Sequence, residues 1–99
     1  MITHVVLIQP KVSTSNAELS AFLEHVQALQ EKIPGIVSRS VGENRSDFHG
    51  GFTHGIIMRF VDEAHLQAHH NHPAHVAVVT ELDCLCQQSI DFDLLETAL

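Results

Sequence analysis

Ninety-nine residues suit one domain over 1–99 and leave little room for a second. Apolar residues make up 44 %, enough for one modest core, and a formal charge of -7 with only five Lys+Arg argues against a nucleic-acid partner. No apolar run is long enough to span a membrane, and the start carries no charged-then-apolar leader, so neither a membrane nor an export signal is expected.

In chain order, the β-branched content of residues 2–9 (ITHVVLIQ) predicts a strand. Alternation puts His4, Val6 and Ile8 on one face and Val5 and Leu7 on the other. Pro10 and the polar run 11–16 end it. Ser15 followed three residues later by Glu18 is a capping box, so a helix starts near Ala17. Its apolar stripe is Leu19, Phe22, Leu23, Val26, Leu29 and Ile33, and Pro34-Gly35 stops it. A second strand runs from Ile36 to Val41. The glycine-bounded polar stretch from Gly42 to Gly51 is a loop, expected to act as a lid. The third strand, Phe52 to Val61, carries His54, Ile56, Met58 and Phe60 on one face.

Asp62 then caps a short helix over 63–70, with Leu66 and His69 or His70 turned inward. His72-Pro73 starts the next helix, because a proline at the first helical position lacks only an N–H that the helix leaves unpaired. His75, Val78, Val79 and Leu82 form its apolar stripe up to about Cys86. A last strand, Ser89 to Leu94, sets Ile90, Phe92 and Leu94 against Asp91 and Asp93.

The order is an α+β, ferredoxin-like β-α-β-β-α-β arrangement. The first and third strands are then central neighbours, and both helices cover one sheet face. The other face, bearing Val5, Leu7, Ile57 and Val61, is apolar and has no helix left to cover it. A homodimer through that face, as in a dimeric α+β barrel, is the simplest cover. Cys84 and Cys86 lie two apart, where a disulfide would be strained, so a reducing, cytoplasmic setting is expected. C-x-C as half of a metal site is the other reading of that pair.

Nine histidines are many for this length, and four of them, His69, His70, His72 and His75, fall within seven residues. If the faces of His4 and His54 meet the helices, both lie side by side beneath His75, with His69 or His72 closing the cavity. Val6, Ile8, Ile56, His72 and Val78 are the expected substrate-binding residues. Burial disfavours imidazolium and leaves neutral rings able to accept a proton. Tyr is absent, so no phenol can serve as the acid.

THVVL at 3–7, KIPGI at 32–36, GFTHG at 51–55 and HPAHVAVV at 72–79 resemble the stress-responsive α/β-barrel (Dabb) family over about residues 2–94. The resemblance implies a ferredoxin-like monomer that dimerises through its sheets. From the plant polyketide cyclases of that family it implies His75, the second histidine of HPAH, as the general acid or base. It implies His4 and His54 as pocket residues that polarise a carbonyl. His69 stands where those cyclases use a tyrosine, and Leu23 and Val26 stand where they carry pocket aromatics.

Two functions follow. One is a cofactor-free lyase, cyclase or isomerase that moves a proton next to a carbonyl, with His75, His69, His54 and His4 as catalytic residues. The alternative is a non-catalytic, stress-responsive protein that binds a small, largely apolar, carbonyl-containing molecule. A zinc site from His69, His72 and His75 with His4 or His54 is a third reading. The family motif needs no metal, so neither metal nor cofactor is expected.

Overall fold

The computed structural model describes residues 1–97, so the last two residues of the expected 1–99 domain lie outside it. The elements are β1 (Ile2–Pro10), α1 (Asn16–Lys32), β2 (Ile36–Glu43), β3 (His54–Phe60), α2 (Glu63–His69), α3 (Pro73–Leu85) and β4 (Cys86–Leu95). This is the expected ferredoxin-like plan, with the second helical segment divided in two. The predicted ends move by more than one residue in three places. β2 runs on through Gly42 and Glu43, β3 starts at His54, and β4 starts at Cys86. Each shift follows from pairing: the β2–β3 ladder extends to Glu43 opposite His54, and the β1–β4 ladder extends to Pro10 opposite Cys86.

The caps act as their residue types dictate. Ser15 Oγ accepts from the Glu18 amide at 3.1 Å while the Glu18 carboxylate accepts from the Ser15 amide at 3.0 Å. The Asp62 carboxylate accepts from the His65 amide at 2.8 Å, and Pro73 opens α3 behind His72. Gly35 ends α1 at φ 90°, where a Cβ would also lie 2.6 Å from His65, so glycine is required there.

The sheet is antiparallel with order β2-β3-β1-β4. One face is buried beneath the helices: Ile2, Val6, Ile8, Ile56, Met58 and Phe60 pack against Leu19, Phe22, Val26 and Leu29 of α1 and Leu66 of α2. The opposite face carries Val5, Leu7 and Ile57, joined in register by Ile90, Phe92 and Leu94 of β4. Ile57 is 45 % exposed and Phe92 55 %. Arg59 on that face is tied to Glu96 by two bonds of 2.8 and 2.9 Å. Among the described residues, no helix is long and apolar enough to cross a membrane.

The connection between β2 and β3 is held by its own bonds, Asn44 to Thr53 at 2.8 Å and Asn44 to Phe52 at 2.9 Å among them. None of its residues borders the histidine crevice described below. The expectation of a lid over that site is therefore corrected: the connection leaves the sheet at its far end.

Candidate functional site

The three histidines that meet come from three elements. β1 alternation sends His4 to the helix-covered face, where it is 7 % exposed. α2 carries His69 one turn beyond Leu66 on the same inward side, and His69 is 2 % exposed. α3 presents His75 half a turn after Pro73, half-buried. The His69 ring centroid lies 5.5 Å from His4 and 4.3 Å from His75, and Phe60 backs it at 4.7 Å.

Hydrogen bonds orient each ring. Asp93 on β4 sits opposite His4 in the ladder, and its carboxylate accepts from His4 Nδ1. His69 Nδ1 donates to the Leu66 carbonyl at 2.5 Å, and His75 Nδ1 donates to the His70 carbonyl at 3.2 Å. A carbonyl oxygen can only accept, so the hydrogen on both of these rings resides on Nδ1. Nε2, across the ring, keeps its lone pair. Among the described residues no buried side-chain nitrogen lacks a partner, and none faces Nε2 of His4 or His69, so both atoms reach the open space beside them.

Burial sets the charge. It pushes the His69 pKa down from 6.5 to about 4, against the Leu66 carbonyl bond that favours the cation; His75, His70 and His4 add to the lowering. His75 is lowered by burial too, partly offset by its bond to the His70 carbonyl and by the Asp91 carboxylate. Both rings are neutral at pH 7.

The space they border is one crevice with a narrow and a wide part, which share His4, Val6, His69, His75, Val79 and Leu82. The narrow part, about 50 Å³, runs inward between sheet and helices and is completed by Phe22, Val26, Leu29, Ile56, Met58 and Val78. The wide part, about 260 Å³, opens outward past His70, Asp83, Ser89 and Asp91. That size lies near the lower end of small-molecule sites, roughly 300–1,000 Å³.

Not every expected residue arrives. Val6, Val26, Ile56 and Val78 border the crevice, while Ile8, Leu23, His54 and His72 do not. The side-by-side placement of His4 and His54 is corrected by the antiparallel register, in which His4 lies opposite Met58 and His54 opposite Ile8. Each histidine opens its own strand, and antiparallel neighbours open at opposite ends. Four residues of strand put His54 and Ile8 roughly 13 Å from the His4 level. There His54 Nδ1 meets Thr53 Oγ1 at 2.9 Å. His72 is the N-cap of α3, and its Nδ1 accepts from the Ala74 amide at 3.1 Å, so its side chain folds back on its own helix. Leu23 packs at the edge of the core, because Phe22, Val26 and Leu29 occupy the turn of α1 that faces the crevice. Sequence reasoning missed Asp91 and Asp93 as site residues. Their signal was the alternation in 89–94, read without knowing which side faced inward. Among the described residues, no group of three or more His, Cys, Asp or Glu side chains is spaced to hold a metal ion.

The model for the stress responsive A/B barrel domain matches residues 2–95. No curated protein matches the chain. A crystal structure of At3g17210 from Arabidopsis thaliana superposes with TM-score 0.92 at 22 % identity, covering 100 % of this chain and 98 % of that one. The hydroxynitrile lyase of Passiflora edulis follows at 0.91 and 18 %, covering 99 % and 94 %. A dimeric ferredoxin-like protein from Jannaschia sp. CCS1 gives 0.85 and 22 %, covering 96 % and 98 %. At these identities the likeness shows the fold. Several of the neighbours are described as dimeric.

Proposed function

This chain belongs to the stress responsive A/B barrel domain family, and on that premise we propose that its histidine crevice binds a small, largely apolar hydroxy or carbonyl compound and acts as a cofactor-independent lyase. The observation that carries the reading is the His4–Asp93 pair facing two neutral imidazoles over an apolar cavity. A carboxylate behind Nδ1 stabilises the imidazolium that forms when Nε2 takes a proton, so His4 is the better general base. The resemblance puts that role on His75. His75 and His69, each backed by a carbonyl, instead keep Nε2 acceptors that hold the hydroxyl in place before its proton passes to His4.

Acceptors call for a substrate hydroxyl. His4 Nε2 removes the hydroxyl proton, the oxygen's electron pair forms C=O, and the neighbouring carbon bond breaks with its pair leaving on the departing group. That group takes the proton back from His4. Run in reverse, the same steps add a carbon nucleophile to a carbonyl. That a hydroxynitrile lyase shares the fold is consistent with this class of step.

We also infer a homodimer through the outer sheet face, since Ile57, Ile90, Phe92 and Leu94 are exposed there and Arg59 is already paired. The free thiols of Cys84 and Cys86 suit a reducing compartment such as the cytoplasm.

Release of benzaldehyde from mandelonitrile and of acetone from diacetone alcohol tests the lyase. Turnover above background that His4→Ala abolishes supports it. Saturable binding of both compounds with no turnover overturns the lyase and leaves the non-catalytic binding protein.

A further inference from the structure

We propose that the crevice selects uncharged ligands over anions, and that Asp83 and Asp91 at its mouth set this preference. The inference rests on reading the crevice as a ligand site, and it adds the charge class of what enters. Asp83 lies near the end of α3 and Asp91 on β4, and the two border the wide outer part from different elements. Both residues are exposed, so their carboxylates stay hydrated and charged while an incoming ligand passes them. Asp91 also acts electrostatically on His75, within the crevice.

Lys11 lies close enough to act on Cys86, as Asp83 does, but it does not border the crevice. Neither Lys nor Arg borders the narrow or the wide part. The His69 and His75 imidazoles are neutral, and their free Nε2 atoms are acceptors, which repel a carboxylate or phosphate oxygen rather than bind it. Asp93, on β4 with Asp91 and bonded to His4 across the ladder, adds a third carboxylate nearby. A ligand carboxylate would thus meet carboxylates at the opening and lone pairs within. At about 6 Å in water, two like charges amount to roughly tenfold against the anion. A neutral hydroxy compound meets no such penalty and can donate its hydroxyl inside.

Mandelamide and mandelate form a matched pair, with the same ring and hydroxyl and only the charge changed. Their dissociation constants can be read from the ring-proton NMR shifts of His69 and His75. We expect mandelamide to bind about tenfold more tightly than mandelate at low salt, with the gap narrowing as salt screens the mouth. Asp83→Asn/Asp91→Asn should close most of the gap by strengthening mandelate alone. Glu24→Gln/Glu31→Gln removes the same charge from exposed positions on α1 and should leave the gap open.

Equal binding of the two ligands by the parent overturns the charge preference and leaves the pocket standing. A gap that survives the Asp variants, or closes equally in the Glu variants, overturns the assignment to Asp83 and Asp91. If neither ligand shifts His69 or His75 at millimolar concentration, the pocket reading falls and this inference falls with it.

Discussion

Asp93 and His4 stand directly opposite each other across the β1–β4 ladder, and the Asp93 carboxylate accepts the hydrogen of His4 Nδ1. The arrangement inverts the usual logic of an edge strand. β4 turns its carboxylates toward the helices and its Ile90, Phe92 and Leu94 outward. A buried imidazole N–H thereby finds its acceptor, and the apolar row joins the outer face.

Asp93→Ala should destabilise the protein by about 1–2 kcal/mol, because it strands a buried donor. Asp93→Asn keeps an acceptor oxygen and should cost less than half of that, while removing the charge that supports His4 as a base. Urea denaturation of the three proteins checks the first claim, and the rate of carbonyl release checks the second. Equal stability of the Ala variant and the parent would show that the pair does not hold the fold.

Stability should depend on acid through His69. Its folded-state pKa, about 4, lies below the ordinary 6.5 of the unfolded chain. Above pH 6.5 both states are neutral at this ring and the full stability is present. As pH falls from 6.5 to 4 the unfolded state takes up the proton first, and stability drops by about 3 kcal/mol. His69→Phe should flatten that slope. Denaturant midpoints between pH 4 and 7 measure it, and a parent profile no steeper than the variant's would contradict the burial of a neutral ring.

His75→Ala and His54→Ala should part company. His75 borders the crevice and His54 does not. Loss of His75 removes a hydrogen-bond acceptor from the substrate and should lower turnover by roughly tenfold, against roughly 10²-fold or more for loss of the base His4. His54→Ala should leave turnover and ligand affinity within about twofold, since among the described residues its Nδ1 bonds Thr53 alone. A large loss from His54→Ala would relocate the site to the other end of the sheet.

A charge on the outer face should separate the dimer. Ile57→Asp or Phe92→Asp would place a carboxylate in an interface expected to bury near ~800 Å² per partner. Sedimentation at micromolar concentration should show a parent dimer and monomeric variants with an unchanged fold by circular dichroism. A parent that sediments as a monomer would sink the proposal.

The sequence by itself determined the elements and most of their faces. The Ser15–Glu18 box, the Pro34-Gly35 stop, the Asp62 cap and Pro73 mark helix ends by local chemistry. Strict alternation in 2–9 sends His4 inward and Val5 outward, because successive strand side chains must point apart. The stripe His75, Val78, Val79 and Leu82 was legible for the same kind of reason, and all four border the crevice. Local periodicity carries no information on which strand ends adjoin. Only the tertiary structure decided that His54 meets Ile8 and not His4, because antiparallel pairing places the two strand starts at opposite ends. It alone turned β4 over, since alternation states that Asp93 and Phe92 part but not which of them faces the helices. The Asp93–His4 bond, and the place of Asp91 at the crevice mouth, come from that single choice of face.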